Sequence, residues 1–242
     1  MPNYKLLLEY DGSHFFGWQV QPGLRTVQGE LEEAVHTLTK ERVRIQCAGR
    51  TDRGVHALGQ VANFRLNAEW PPEKIQHALN GITGKDIAVL QVNMVSDDFH
   101  ARFDARARQY IYYLSLRPVA VGRQYTFFCK FDLDLDAMQE AAGHLYGEHH
   151  FEAFAQKDPD EQHYLSRIED IEWIREGERI GFRIRANRFL HNMVRLIMGT
   201  LIQVGRGKIS PQEFKNILAS RSRDHIGFKA PAHGLFLEKV YY

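Results

Sequence analysis

Thr26-Val27-Gln28-Gly29-Glu30-Leu31-Glu32-Glu33-Ala34-Val35-His36-Thr37-Leu38 is the stretch from which the rest of the chain can be ordered. Val27, Leu31, Ala34, Val35 and Leu38 recur at helical spacing, and Thr26 stands where an N-cap belongs. Before this helix, residues 4–10 (YKLLLEY) read as a strand. After it, residues 43–48 and 60–66 read as strands separated by a glycine-containing loop. Residues 72–79 then read as a short helix with a proline in its tolerant first turn, and residues 87–95 as a β-branched strand. The order is β-α-β-β-α-β.

The second half of the 242 residues follows the same order. Residues 110–116 read as a strand and 135–145 as a helix; 168–175 and 180–186 form a hairpin turning at Gly177. Residues 190–204 are a long apolar helix, Ser210-Pro211-Gln212-Glu213 is a capping box that opens an extra helix, and residues 235–242 are a closing strand. The same order twice predicts an α+β protein of two ferredoxin-like, split-βαβ halves, 1–103 and 104–242, around a largely antiparallel mixed sheet. The repeat is one of pattern, not of residue identity.

Hydrophobic residues make up 44% of the chain and charged residues 25%, which is a globular rather than a disordered composition. No apolar run approaches the length of a membrane span, and the first residues lack the pattern of a secretory signal. The two cysteines, Cys47 and Cys129, have no CxxC spacing; that excludes zinc ribbons and fits thiols in a reducing cytoplasm.

The net charge of +1 hides an uneven distribution. Residues 99–125 carry 5 basic and 1 acidic side chains, and residues 176–230 carry 11 and 4, whereas residues 126–175 carry 4 basic and 12 acidic. Arginine supplies 21 of the 31 basic residues, and its planar fork suits phosphate and base stacking. This is either ordinary surface charge or a positive face shaped for a polyanion.

Four stretches could carry chemistry. In Gly49-Arg50-Thr51-Asp52-Arg53-Gly54-Val55-His56 one carboxylate stands between two arginines in a loop with glycines at both ends. Such a carboxylate stays ionised where water is partly excluded and can act as nucleophile or base; the alternative is a surface turn with a local ion pair. From Phe99 to Tyr113, Arg102, Arg106 and Arg108 alternate with His100, Phe103, Tyr110, Tyr112 and Tyr113, which suits phosphate contact with base stacking or else a buried aromatic strand. Arg195 lies on a helix among Leu190, Met193, Val194, Leu196 and Ile197, where a buried charge needs a partner; Asp52 is a candidate, and an arginine with its head in water is the alternative. The aromatic loop from Tyr10 to Gln19 either lids a cleft or packs on itself. GxxxxGK[ST], GxGxxG before a helix, HExxH and GxSxG are all absent, and no pattern completes a zinc site around His144, His149 and His150.

YDGSHFFGWQVQP from Tyr10, TVQGELE from Thr26, AGRTDRGVHALGQ from Ala48, FHARFDARARQYIYY from Phe99, FLHNMVRLIMGTL from Phe189 and APAHGLFLEKVYY from Ala230 together resemble the tRNA pseudouridine synthase A (TruA) family, over nearly the whole chain. The resemblance implies the pseudouridine synthase fold with pseudo-twofold related halves. It also implies isomerisation of uridine to pseudouridine at positions 38, 39 and 40 of the tRNA anticodon stem-loop, with no cofactor or metal, by a cytoplasmic homodimer. It makes Asp52 the catalytic carboxylate and Tyr110 the ring that stacks on the target base. Arg195 would pair with Asp52, and Arg50 would fill the stack left by the flipped nucleotide. Attack on C1′, attack on C6 and removal of the 2′ proton are all open to Asp52. His150-Phe151-Glu152-Ala153-Phe154 departs from the family in carrying Glu-Ala where relatives often have small polar residues. Two other classes compete. A non-catalytic RNA-binding protein would give Asp52 no purpose and would want an RNP1 pattern, which is missing. A nuclease would want clustered carboxylates or a histidine pair. His56, His191 and His225 either touch RNA or complete the core.

Overall fold

The computed structural model describes residues 1–156 and 163–242. In chain order the elements are β1 (Asn3–Tyr10), α1 (Val27–Thr39), β2 (Gln46–Cys47), β3 (His56–Arg65), α2 (Pro72–Ile82), β4 (Ile87–Val95), β5 (Ala107–Ser115), β6 (Phe127–Phe128), α3 (Leu135–Gly143), β7 (Gly147–His150), β8 (Leu165–Glu176), β9 (Arg179–Ala186), α4 (Met193–Gly205), α5 (Pro211–Ser220) and β10 (Leu235–Tyr241). They fall into two compact units, Met1–Arg106 with Phe236–Tyr242, and Ala107–Leu235. The expected division at 103/104 kept the last strand with the second half. Its residues cluster instead with the first unit, because Phe236 and Leu237 pair in parallel with His56 and Ala57 of β3.

In the first unit β1 lies antiparallel between β3 and β4, and β2 adds to β3. Alternation along β1 puts Tyr4, Leu6, Leu8 and Tyr10 in the core. Thr26 caps α1 as expected, its hydroxyl accepting from the Gly29 N–H at 3.3 Å, and Val27, Leu31, Ala34 and Val35 are buried. α2 begins at Pro72 and packs Ile75 and Leu79 inward.

The strand expected over 43–48 shrinks to two residues, and the reason is local. The Ile45 N–H donates to the Glu32 carboxylate (2.9 Å), and its carbonyl accepts from the Gln28 amide (3.1 Å). Side chains of α1 therefore take the backbone groups a ladder would have used.

In the second unit β5, β9, β8 and β7 form an antiparallel run, with β6 parallel to β5. Short β6 and β7 carry no periodic signal and were not foreseen. The expected hairpin is present, with Gly177 in its turn at φ +61°. α4 starts at Met193 rather than 190 because Asn192 is left-handed (φ 63°), a conformation no α-helix can include. Apolar on nearly every side, α4 is almost wholly buried between its neighbours. The capping box forms as read: the Glu213 N–H donates to the Ser210 hydroxyl, and the Glu213 carboxylate accepts from the Ser210 N–H.

The mixed α+β class and the largely antiparallel strands expected from the sequence are both observed. The charge pattern is modified. Arg183 of β9 bonds Glu172 across the β8–β9 hairpin, and Arg185 lies 3.4 Å from Glu169 and 3.7 Å from Asp170. Part of the basic excess in 176–230 is therefore offset by acids from the preceding acidic stretch. No helix among the described residues is long and apolar enough to cross a membrane.

Candidate active site

Asp52 sits in the loop between β2 and β3, half-buried, with Arg50 and Arg53 exposed on either side. Its backbone neighbours are fixed from several directions. The Thr51 and Tyr10 hydroxyls share a hydrogen bond of 2.8 Å, and the Thr51 carbonyl accepts from the Trp18 N–H at 3.0 Å. The Gln60 amide reaches the Gly49 carbonyl at 2.7 Å, and the Val55 N–H closes a turn on the Asp52 carbonyl at 3.1 Å. Gly54 makes that turn possible at φ +77°; of the two flanking glycines, it is the one in the left-handed region.

The aromatic loop after β1 is the support for this arrangement. Gly17 (φ +88°) lies so close that a β-carbon there would meet the Thr51 carbonyl oxygen at 2.7 Å. Phe15 accepts from the Gly54 N–H at 3.4 Å, and Arg53 stacks over the Phe16 ring at 4.3 Å. The loop is itself tied down. Arg25 makes a two-pronged ion pair with Asp86 (2.6 and 2.8 Å), contacts Glu30, and lies over the Phe15 ring at 4.2 Å. These bonds, to Asp86 first and then Glu30, raise the Arg25 pKa further above its already high value.

His56 opens β3 as a core residue, 1% exposed. Its Nδ1 accepts from the Gly12 N–H at 3.0 Å, and its ring stacks on Phe236 at 4.6 Å. His191 and His225 are exposed. Sequence reasoning placed Tyr10, Gly17 and Thr51 inside its candidate stretches but gave no individual role to them or to Gln60. The signal available was the pair of glycine-flanked motifs, since two such loops pack only where backbones come close.

Tyr110 and Arg195 belong to the second unit. Tyr110 lies on β5 opposite Ile184, 8% exposed, with the Phe189 ring set edge-on at 5.0 Å. Tyr112 is a core residue: it is fully buried, its hydroxyl donates to the Pro231 carbonyl at 3.0 Å, and burial pushes its pKa well above the usual phenol value. Tyr113 instead takes the Arg179 guanidinium over its ring at 3.5 Å.

Arg195, in the first turn of α4, is half-buried. Its Nε donates to the Ala230 carbonyl (2.8 Å) and a terminal nitrogen to the Asn192 side chain (3.2 Å). Ala230 in turn donates its N–H to the Arg195 carbonyl at 3.1 Å. The segment before Ala230 approaches α4 closely, the Gly227 N–H bonding the Thr200 hydroxyl at 3.0 Å. Among the described residues no three His, Cys, Asp or Glu side chains converge as metal ligands.

A sequence profile of the family described as tRNA pseudouridine synthase matches residues 7–104 and 141–242. Over 242 residues the chain is 41% identical to tRNA pseudouridine synthase A of Bacillus licheniformis, covering 98% of each. It is 43% identical over 244 residues to that of Acetivibrio thermocellus, covering 100% of both, and 44% identical over 242 residues to that of Bacillus pumilus, covering 98% of both. Identity at this level along the full length, with the loop around Asp52 inside the matched region, means that the chain belongs to the tRNA pseudouridine synthase family and is an isomerase that converts uridine in tRNA to pseudouridine.

Proposed function

We propose that Asp52 is the catalytic carboxylate, acting on a uridine turned out of the anticodon stem-loop at positions 38, 39 and 40. The observation that carries this reading is the bracing of its loop: a half-buried carboxylate whose neighbours Thr51, Gly54 and Val55 are each hydrogen-bonded in place. A preorganised charge of this kind loses little on meeting a transition state.

The reaction breaks the C1′–N1 bond, turns the uracil and forms a C1′–C5 bond, with the C5 hydrogen leaving as a proton and N1 taking one up. C1′ and C5 become accessible together only when the nucleotide leaves the stack. Every route open to a carboxylate here requires an ionised Asp52 beside the nucleoside. Arg195, two of whose donors reach Ala230 and Asn192, is in this reading the cationic partner of the carboxylate. Tyr110, its ring plane fixed by Phe189, stacks on the uracil. Arg50, exposed beside Asp52, fills the space the nucleotide leaves. In this scheme the half 1–103 brings the carboxylate, and the half 104–242 brings Tyr110 and Arg195. The enzyme works in the cytoplasm as a homodimer whose protomers share one tRNA, and its two buried cysteines stay as free thiols.

The test is release of tritium from tRNA transcripts labelled at C5 of uridine, without added metal or nucleotide. Wild type releases the label. Asp52→Asn folds and binds tRNA with release at background, because the amide keeps the shape and loses the charge. Turnover near wild type in Asp52→Asn overturns the assignment. Sedimentation of the free enzyme tests the homodimer separately.

A further inference from the structure

Phe103 is the most exposed aromatic side chain among the described residues, at 74%. The loop that carries it is nevertheless closely built. Two buried asparagines hold it against the strands. The Asn3 amide donates to the Ser96 and Phe99 carbonyls, each at 2.9 Å, and the Ala101 N–H donates to the Asn63 side chain at 2.9 Å. The Tyr242 hydroxyl donates to the Ala101 carbonyl at 2.8 Å. At the tip, His100 Nδ1 accepts from the N–H groups of Arg102 (3.1 Å) and Phe103 (3.3 Å), and the Asp104 carboxylate accepts from the His100 N–H (2.8 Å). The His100 ring centre is 4.2 Å from that of Phe103. Phe99, four residues earlier, is placed differently, packed beside Tyr242 with the Lys5 ammonium over its ring. The loop thus tucks one phenylalanine away and presents the other.

An arginine stands beside that ring. Arg102 and Arg106 are exposed, and the Arg102 guanidinium lies 5.8 Å from the Phe103 ring. Burial pushes the Cys47 thiol up to about 12, against the opposing fields of Arg50 and Arg102. A protein partner would want apolar surface around the ring. Here the neighbours are the His100 imidazole and the Arg102 guanidinium, and the Asp104 carboxylate accepts from the His100 N–H. Aromatic faces flanked by arginine suit a nucleobase and its phosphate.

We propose that Phe103, backed by His100 and flanked by Arg102, is a stacking platform for an unpaired nucleotide of the RNA other than the reacting uridine. The inference rests on the reading that the substrate is a tRNA stem-loop. It adds a second point of base contact, one that serves binding and not chemistry.

The experiment measures both the affinity of the full-length enzyme for unmodified tRNA and tritium release. Phe103→Leu keeps apolar bulk and loses the ring; Phe103→Trp enlarges the ring. The expected result is that Phe103→Leu weakens tRNA binding by roughly tenfold, the scale of one stacked base. It should raise KM and leave kcat at saturation unchanged, while Phe103→Trp binds at least as well as wild type. Equal tRNA affinity in wild type and Phe103→Leu overturns the proposal. So does a change of sedimentation in Phe103→Leu with tRNA affinity intact, which would make the ring a protein contact. Failure of the substrate reading has a different signature, namely absence of tritium release from wild type, and the affinity comparison decides the role of Phe103 in either case.

Discussion

Thr51 does two jobs through different atoms: its hydroxyl meets Tyr10 and its carbonyl meets Trp18. Thr51→Val removes the first and keeps the second. The expected cost is about 1 kcal/mol of stability, the usual worth of one such bond. Turnover should fall by more than the change in folded fraction explains, because the carboxylate next door loses one of its restraints. Denaturant titration beside a single-turnover assay separates the two effects. Gly17→Ala is harsher. A β-carbon would stand 2.7 Å from the Thr51 carbonyl oxygen, at a φ of +88° that alanine disfavours. The loss should exceed 1 kcal/mol, the upper end of what a compatible glycine substitution changes, and tritium release should fall with it. Equal activity in Gly17→Ala and wild type would show that the aromatic loop does not support Asp52.

At the scale of elements, α5 offers a clean control. Ser210→Ala removes half of its capping box and should cost about 1 kcal/mol, with turnover unchanged. The effect should depend on pH in a defined direction. Bonds from the Ser210 N–H and hydroxyl lower the Glu213 pKa below the ordinary value of 4.5. The part carried by the hydroxyl-to-carboxylate bond is therefore complete above that ordinary value and is lost as pH falls through the lowered one, so the gap between wild type and Ser210→Ala should narrow in acid while the bond from the Glu213 N–H keeps it open. This cap was legible in four consecutive residues, as were the Thr26 cap, the hairpin at Gly177 and the span of β4. Such features are decided locally by one side chain, one turn or one periodicity. What was not legible depends on partners far along the chain. Residues 43–45 have strand-like composition, but Gln28 and Glu32 of α1 claim the backbone of Ile45. Asn192 gave no sign that it would turn left-handed and delay α4. For the site, the Asp52 motif stood out by charge. Its support by Tyr10, Gly17 and Gln60 did not, since those residues are distant in sequence and ordinary in type.

For the whole molecule, net charge is a poor guide to RNA affinity, because arginines differ in what already neutralises them. Affinity for tRNA should fall linearly on logarithmic axes as salt rises. Substituting Arg50 should flatten that line more than substituting Arg183, whose charge is met by Glu172 across the hairpin. An equal change of slope for both would mean that the cross-strand acid is displaced when RNA binds. One further consequence concerns synthesis. β10 pairs with β3 at His56 and Ala57, and Phe236 lies on the His56 ring. A growing chain therefore cannot finish its first unit first, although N-terminal parts commonly fold as they emerge. The strand segment beside Asp52 waits for residues made after all of 107–235, so this part of the first unit is completed only once the second unit has been synthesised.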